Sequence, residues 1–265
     1  MNVNKKYYKP SKNLSSYVDR YFICKQFEKL PLILPGTGLE LLFHINESFN
    51  INNQTLSQAH ILCPREHLKI NTNSKVNYIA VRFKSGAFRH FSPLGHTEII
   101  NSYLSVEDLW KNSGKTLINK LQETSEINDK IQLIERFLLS KLSKHQIKET
   151  TNWDGVITSL YKNFNTINLQ ELACNTSLSY RQFERNFKQH FGITSKKFQR
   201  ITRLQNTVKQ VLLSKNTHYL HIALDNGYYD QSHFIKDFFL LSGTKPSNYF
   251  TVDNFDNHFY YKSLV

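Results

Sequence analysis

Cysteine, methionine and proline are scarce in this chain, and acidic side chains are outnumbered by basic ones. Its three cysteines, Cys24, Cys63 and Cys174, lie far apart among 265 residues. An odd number without paired spacing argues against a disulfide framework or a zinc knuckle, and leaves reduced thiols packed as small apolar residues. No run approaches the roughly 18 consecutive apolar residues of a membrane-spanning helix. Residues 1–12 lack an apolar stretch behind their early lysines, so they do not read as a signal peptide. A cytoplasmic protein with no membrane partner is expected. There is no Gly-x-Ser-x-Gly elbow and no glycine-rich phosphate loop. His44, His60, His67, His90 and His96 lack the close His-x-His pairing and nearby acid of a compact metal site. The expectation is a protein that is not an enzyme, with no catalytic residue, no metal and no cofactor.

What is present is positive charge and apolar patterning. The formal net charge is +13, with 34 Lys and Arg against 21 Asp and Glu. A basic balance suits nucleic acid, an anionic membrane or mere solubility, so its distribution matters more than its total. Residues 179–209 hold eight basic side chains (Arg181, Arg185, Lys188, Lys196, Lys197, Arg200, Arg203 and Lys209) against one acid, Glu184. A grip on phosphate is expected to centre there.

The first half leans towards strands. Leu39 to Ile45 and Val76 to Phe83 are short runs rich in branched or aromatic residues, bounded by turns at Pro35-Gly36-Thr37-Gly38 and Asn71-Thr72-Asn73-Ser74. Tyr21 to Ile23 and His60 to Leu62 are further strand candidates. Short strands with polar turns predict a small antiparallel sandwich or barrel. Ser105 then opens a helix, and Ile127, Ile131, Ile134, Phe137 or Leu138, and Leu142 form an amphipathic stripe that fits core packing or a dimer seam equally well. Residues 144–150 are polar and unpatterned, and read as a linker. The fold class is α+β: a β-rich domain with a helical end over 1–145, an all-helical domain over 151–250, and a tail over 251–265.

The second half contains a duplication. Phe183, Phe187, Gly192, Ser195 and Phe198 are repeated as Phe234, Phe238, Gly243, Pro246 and Tyr249, 51 residues later at every position. Each copy reads as helix, turn, helix. Asn168 and Ser179 are placed to open helices in the first copy through capping boxes, and Asp230 is placed to cap the second helix of the second copy. Gly227 permits the turn, and Gly192 and Gly243 stand where a helix ends. Phenylalanines four apart face inward. The second helix of such a unit enters the major groove with its leading residues at base edges. Tyr180, Arg181, Glu184 and Arg185 are the outward residues of the first unit; Gln231, Ser232, Ile235 and Lys236 are those of the second. Arg suits guanine, Gln suits adenine, and Lys196 suits a phosphate. Residues 210–250 carry three lysines and three aspartates, so the first unit is expected to dominate. Between the units, Phe198, Ile201, Leu204, Val208, Val211 and Leu212 keep helical spacing, and the long helix they imply fixes the separation of the two readers.

These residues closely resemble the DNA-binding domain of AraC/XylS-type transcription regulators. The match runs through Leu172-Ala173, Ser179, Phe183, Arg185, Phe187 and Gly192, then Ile222-Ala223, Gly227-Tyr228, Gln231 to Phe234, Phe238, Gly243 and Pro246 to Tyr249, and covers about residues 153–250. The resemblance implies a domain of about seven helices, two helix-turn-helix units and sequence-specific binding of double-stranded DNA near promoters. Carried over by position, base contact falls on Arg181, Glu184 and Arg185, and on Gln231, Ser232, Ile235 and Lys236. Two departures stand out: Leu224-Asp225-Asn226 before Gly227, and Asp237, a negative charge expected beside Lys236. The first half is similar to the β-rich sensor domains of one subset of that family, through Ile33 to Gly36 with Leu39 to Phe43, and through Val81 to Phe88. Arg82, Lys84 and Arg89 are candidates there for an anion-accepting pocket. A small-molecule effector, a second copy of the chain and RNA polymerase are the partners left open. The competing readings are a nonspecific architectural DNA binder, and a small-molecule-binding β-domain with an incidental basic tail.

Overall fold

The computed structural model describes residues 4–27, 32–51, 54–70, 76–145, 151–214 and 219–251. The turn expected at 71–74 and most of the linker and tail lie outside these residues.

The first domain is built on β1 (Asn4–Tyr8), β2 (Val18–Phe27), β3 (Leu39–His44), β6 (Ala59–Leu62) and β7 (Val76–Phe83). They form one antiparallel sheet in the order β1-β2-β7-β3-β6, while β4 (Asn50–Ile51) and β5 (Gln54–Thr55) pair as a separate ribbon. Both strand candidates at 21–23 and 60–62 are therefore strands. The strands read as nearly continuous apolar runs because both faces of the sheet are covered. Tyr21, Ile23, Leu41, Phe43, Ile79 and Val81 point to one face. There they meet α2 (Val106–Trp110), α3 (Asn112–Glu123) and α4 (Ile127–His145). Phe22, Cys24, Leu42, Tyr78 and Ala80 point to the other, under Phe49, Ile51, Leu56 and Ile70. The Ser105 hydroxyl accepts from the backbone of Asp108 at 2.9 Å and starts α2 as expected. The α4 stripe packs into its own domain through Ile131, Ile134 and Leu138. Its buried Lys141 reaches the Ser113 hydroxyl at 2.6 Å. A short 3-10 turn (Ala87–His90) and α1 (His96–Ile99) link sheet to helices.

The second domain holds seven helices among the described residues: α5 (Trp153–Lys162), α6 (Leu169–Cys174), α7 (Tyr180–Phe191), α8 (Ser195–Ser214), α9 (Tyr219–Asp225), α10 (Gln231–Ser242) and α11 (Pro246–Tyr249). One aromatic core unites them, with Phe183, Phe187, Phe198, Phe234 and Phe238 all at 0–1% exposure. Each such ring contributes roughly 1.5–3 kcal/mol by leaving water.

The two domains touch through a wedge that the sequence presents as an ordinary turn. Leu34 is buried in the helical core of the second domain. Behind it, the Pro35 carbonyl accepts from Gln205 of α8 at 3.1 Å, and the Thr37 hydroxyl bonds the Tyr161 hydroxyl of α5. Gly38 lets the Arg82 guanidinium lie close: a Cβ there would stand 2.9 Å from it and push the arginine aside.

Candidate nucleic-acid interface

Local chemistry sets the two candidate reading helices, α7 and α10. At the start of α7, Ser179 and Gln182 bond reciprocally: the Gln182 backbone donates to the Ser179 hydroxyl at 3.4 Å, and the Ser179 backbone to the Gln182 side chain at 3.1 Å. Asp230 caps α10 by accepting from the His233 backbone at 2.7 Å. Asn168 caps α6 by accepting from the Gln170 backbone at 2.9 Å, without the return bond of a full box. Gly192 and Gly243 end α7 and α10 with φ of 77° and 68°, a conformation that side-chain-bearing residues avoid. Gly227 turns the chain at φ 84°.

The caps and the inward phenylalanines fix which side chains are left outside. Arg181 and Arg185 are exposed on α7, and Gln231, Ser232 and Lys236 on α10; Ile235 is half-buried. Tyr180 is 41% exposed. Its hydroxyl donates to the Glu184 carboxylate at 3.3 Å. Partial burial, and after it the Glu184 charge, raises the Tyr180 hydroxyl above its ordinary value. Glu184 is turned towards the protein. It accepts from the hydroxyl of Ser195 and, at 3.4 Å, from its backbone N–H, capping the start of α8.

The basic cluster is partly diverted inward. Arg200 donates through Nε to the Asp237 carboxylate at 2.9 Å. The Arg203 guanidinium lies 5.4 Å from the centre of the Tyr228 ring. Asp237 is 6% exposed, so its charge does not stand beside Lys236 on the outer face as expected. The reason is tertiary: in the second turn of α10 its side chain meets α8, a neighbour that helical periodicity alone does not reveal. Asn226, the other departure, donates to the Gln210 side chain at 2.8 Å and ties the end of α9 to α8.

Both reading helices are also held from behind. A Cβ at Gly192 would approach Ile100 at 2.8 Å, and one at Gly243 would approach the His67 ring at 2.6 Å. Ile100 and His67 belong to the first domain, so the trailing end of each unit rests on it.

Of the three candidates for an anion pocket, Arg82 and Lys84 line a cavity of about 530 Å³ between the domains, with Lys209, Tyr161 and Gln205 opposite. Arg82 also pairs with Glu40 at 3.0 Å. Arg89 is not among the lining residues. It is buried, and donates to the Gly86 carbonyl at 2.8 Å and to Asp154 at 3.0 Å. Sequence reasoning missed Tyr161, Gln205 and Lys209, because only the docking of the domains brings them to this place. Among the described residues no three His, Cys, Asp or Glu side chains gather as a metal site, and no helix is long and apolar enough to cross a membrane.

Residues 172–251 match the family described as a helix-turn-helix domain. The C-terminal domain is of the AraC type, a DNA-binding module of transcription regulators. Residues 6–105 match a domain of unknown function (DUF6597). No curated protein matches the chain. Among solved structures, apo ToxT from Vibrio cholerae is 10% identical over 87% of this chain and 96% of that one, with a TM-score of 0.47. A second ToxT structure from Vibrio cholerae is 14% identical over 94% and 98%, with a TM-score of 0.44. ToxT bound to an unsaturated fatty acid is 11% identical over 94% and 93%, also at 0.44.

Proposed function

We propose that the chain is a sequence-specific transcription regulator that lays α7 and α10 into two successive major-groove segments of promoter DNA. The observation that carries this reading is the pairing of two capped, glycine-terminated helices whose leading ends present Arg181, Arg185, Gln231, Ser232 and Lys236 to solvent. Arg181 and Arg185 take guanine edges or phosphates, Gln231 an adenine, and Lys236 a guanine or phosphate. Tyr180, Ser232 and Ile235 complete the contacted surface. Glu184 acts chiefly by fixing Tyr180 and the start of α8.

In this reading residues 1–145 are a sensor or dimerisation domain, 151–250 the DNA-binding domain and 251–265 a tail. A small-molecule effector with an acidic group would enter the cavity beside Arg82, Lys84 and Lys209, where it touches both domains. A second copy of the chain and RNA polymerase are the protein partners of such a regulator. Selecting duplexes from a random pool with the full chain tests the central claim. A specific regulator enriches a motif and binds it at least about 10³-fold more tightly than random DNA. Equal affinity for every duplex, with one common salt slope, would instead establish an architectural binder.

A further inference from the structure

A second interdomain cavity, of about 440 Å³, is walled by Arg65, Glu66 and His67 from the segment after β6 and by Lys196, Lys197 and Arg200 from the start of α8. Its charge is out of balance. Glu66 is the one acid in the wall, and Arg200 is already committed to Asp237. Among the described residues, neither Lys196 nor Lys197 forms an ion pair.

Arg65 is the most deeply buried of these charged groups. It is 2% exposed. Its two terminal nitrogens donate to the carbonyls of Gly36, Gly38 and Thr37 at 2.7, 2.9 and 3.2 Å, and its Nε has no hydrogen-bond partner. No carboxylate among the described residues neutralises it. Carbonyl dipoles orient a guanidinium but do not cancel its charge, and an unpaired buried charge is strongly unfavourable.

We propose that this cavity binds the phosphoryl group of a small molecule, a phosphate ester or polyphosphate, between the two domains. Lys196 and Lys197 supply point charges from α8, His67 donates from the first domain, and Arg65 supplies the buried positive field behind them. A phosphoryl group has enough oxygens to meet donors arriving from several directions, whereas a single carboxylate would meet only some of them. The volume accommodates pyrophosphate with room for an attached organic group. Because the donors come from both domains, an occupant would tie the first domain to the helix from which both reading units are held. A phosphate of the DNA backbone has the same chemistry. The free ligand is favoured because His67 packs on Gly243, at the trailing end of α10, twelve residues from its leading Gln231. At 1.5 Å per residue that is roughly 18 Å from the end of α10 proposed to meet the duplex.

Calorimetric titration of the full chain with inorganic pyrophosphate tests the assignment, against Lys197→Gln, His67→Gln and, as a control on the exposed face of α3 away from both cavities, Lys115→Gln. Saturable binding is expected for the natural chain and for Lys115→Gln, weakened tenfold or more in Lys197→Gln and measurably in His67→Gln. Affinity for a random-sequence duplex should fall far less than affinity for pyrophosphate in both cavity variants. Absence of pyrophosphate binding, or equal binding by all four proteins, overturns the proposal. A Lys197→Gln loss for the duplex as large as that for pyrophosphate also overturns it, because the phosphate would then belong to DNA. Failure here leaves the motif selection unaffected, since that experiment depends on α7 and α10.

Discussion

The carboxylate of Asp237, in the middle of α10, receives Nε of Arg200 at 2.9 Å and the Tyr228 hydroxyl at 3.2 Å. Burial, and after it the Asp237 charge, pushes the Tyr228 hydroxyl far above its ordinary value, so it remains a donor. The second reading helix is thus fastened to α8 only five residues from Ser195, where Glu184 of the first reading helix is fastened. Replacing Arg200 with Ala leaves Asp237 buried with the tyrosine alone. We expect a loss of about 1–3 kcal/mol in urea unfolding, moderated by the partial exposure of Arg200. A double cycle with Asp237→Asn should show coupling; additive losses would mean that the pair does not hold the helices together.

The leading ends make a separate prediction. Arg185→Ala should weaken binding to a selected motif by about 1–3 kcal/mol and relax the base preference at one position. Lys236→Ala should cost less, because α10 carries fewer free cations. Footprints and isotherms on the same duplex decide this, and an unchanged Arg185→Ala isotherm would remove α7 from the reading role.

The helix-ending glycines can be tested against their backing residues. Gly192→Ala and Gly243→Ala each force a side chain into a left-handed conformation, at a cost of about 1–2 kcal/mol, and each meets the first domain. Adding His67→Ala should recover part of the Gly243→Ala loss and none of the Gly192→Ala loss. Thermal unfolding of the four variants measures the difference, and equal rescue at both glycines would contradict the placement of His67.

Acid should destabilise the first domain through its buried histidines. His44 and His60 stack with ring centres 5.1 Å apart. Burial holds His44 at about 3 and His60 at about 4, and likewise holds His96 at about 3. Unfolded histidine titrates near about 6.5. Between these values the unfolded chain binds more protons than the folded one, so stability is full above about 7 and falls as the pH drops towards 4. Each group contributes at most about 1.4 kcal/mol per pH unit. Urea midpoints at pH 7.5, 6 and 5 should fall in that order, and His60→Leu should flatten the slope. A slope that His60→Leu leaves intact would show that other groups set the acid limit.

What could be read in advance was local. Ser179 with Gln182, Asp230 with His233, and the phenylalanines four apart all interact within one or two helical turns, so sequence spacing reports them directly. Runs such as Leu39 to Phe43 report their strands in the same way. The remainder depends on partners that spacing cannot supply. Asp237 finds Arg200 across 37 residues, and Thr37 finds Tyr161 across 124. Arg89, grouped with Arg82 and Lys84 by proximity in the chain, is carried by the 3-10 turn to Asp154 instead. The β4–β5 ribbon is too short for any pattern to announce.

The wedge around Thr37 shortens the route between the halves of the molecule. Its peptide carbonyls are grasped by Arg65 and by the Ser85 hydroxyl, while Tyr161 and Gln205 hold its other side. A strain that began in β3 or β7 would reach α5 and α8 through these bonds, without travelling along the covalent tether between 145 and 151. Lengthening that tether with a few glycines should consequently leave communication between the halves undisturbed, whereas Thr37→Val together with Gln205→Ala should weaken it, with the Arg89–Asp154 pair and the packing of Ile100 and His67 as the links that remain.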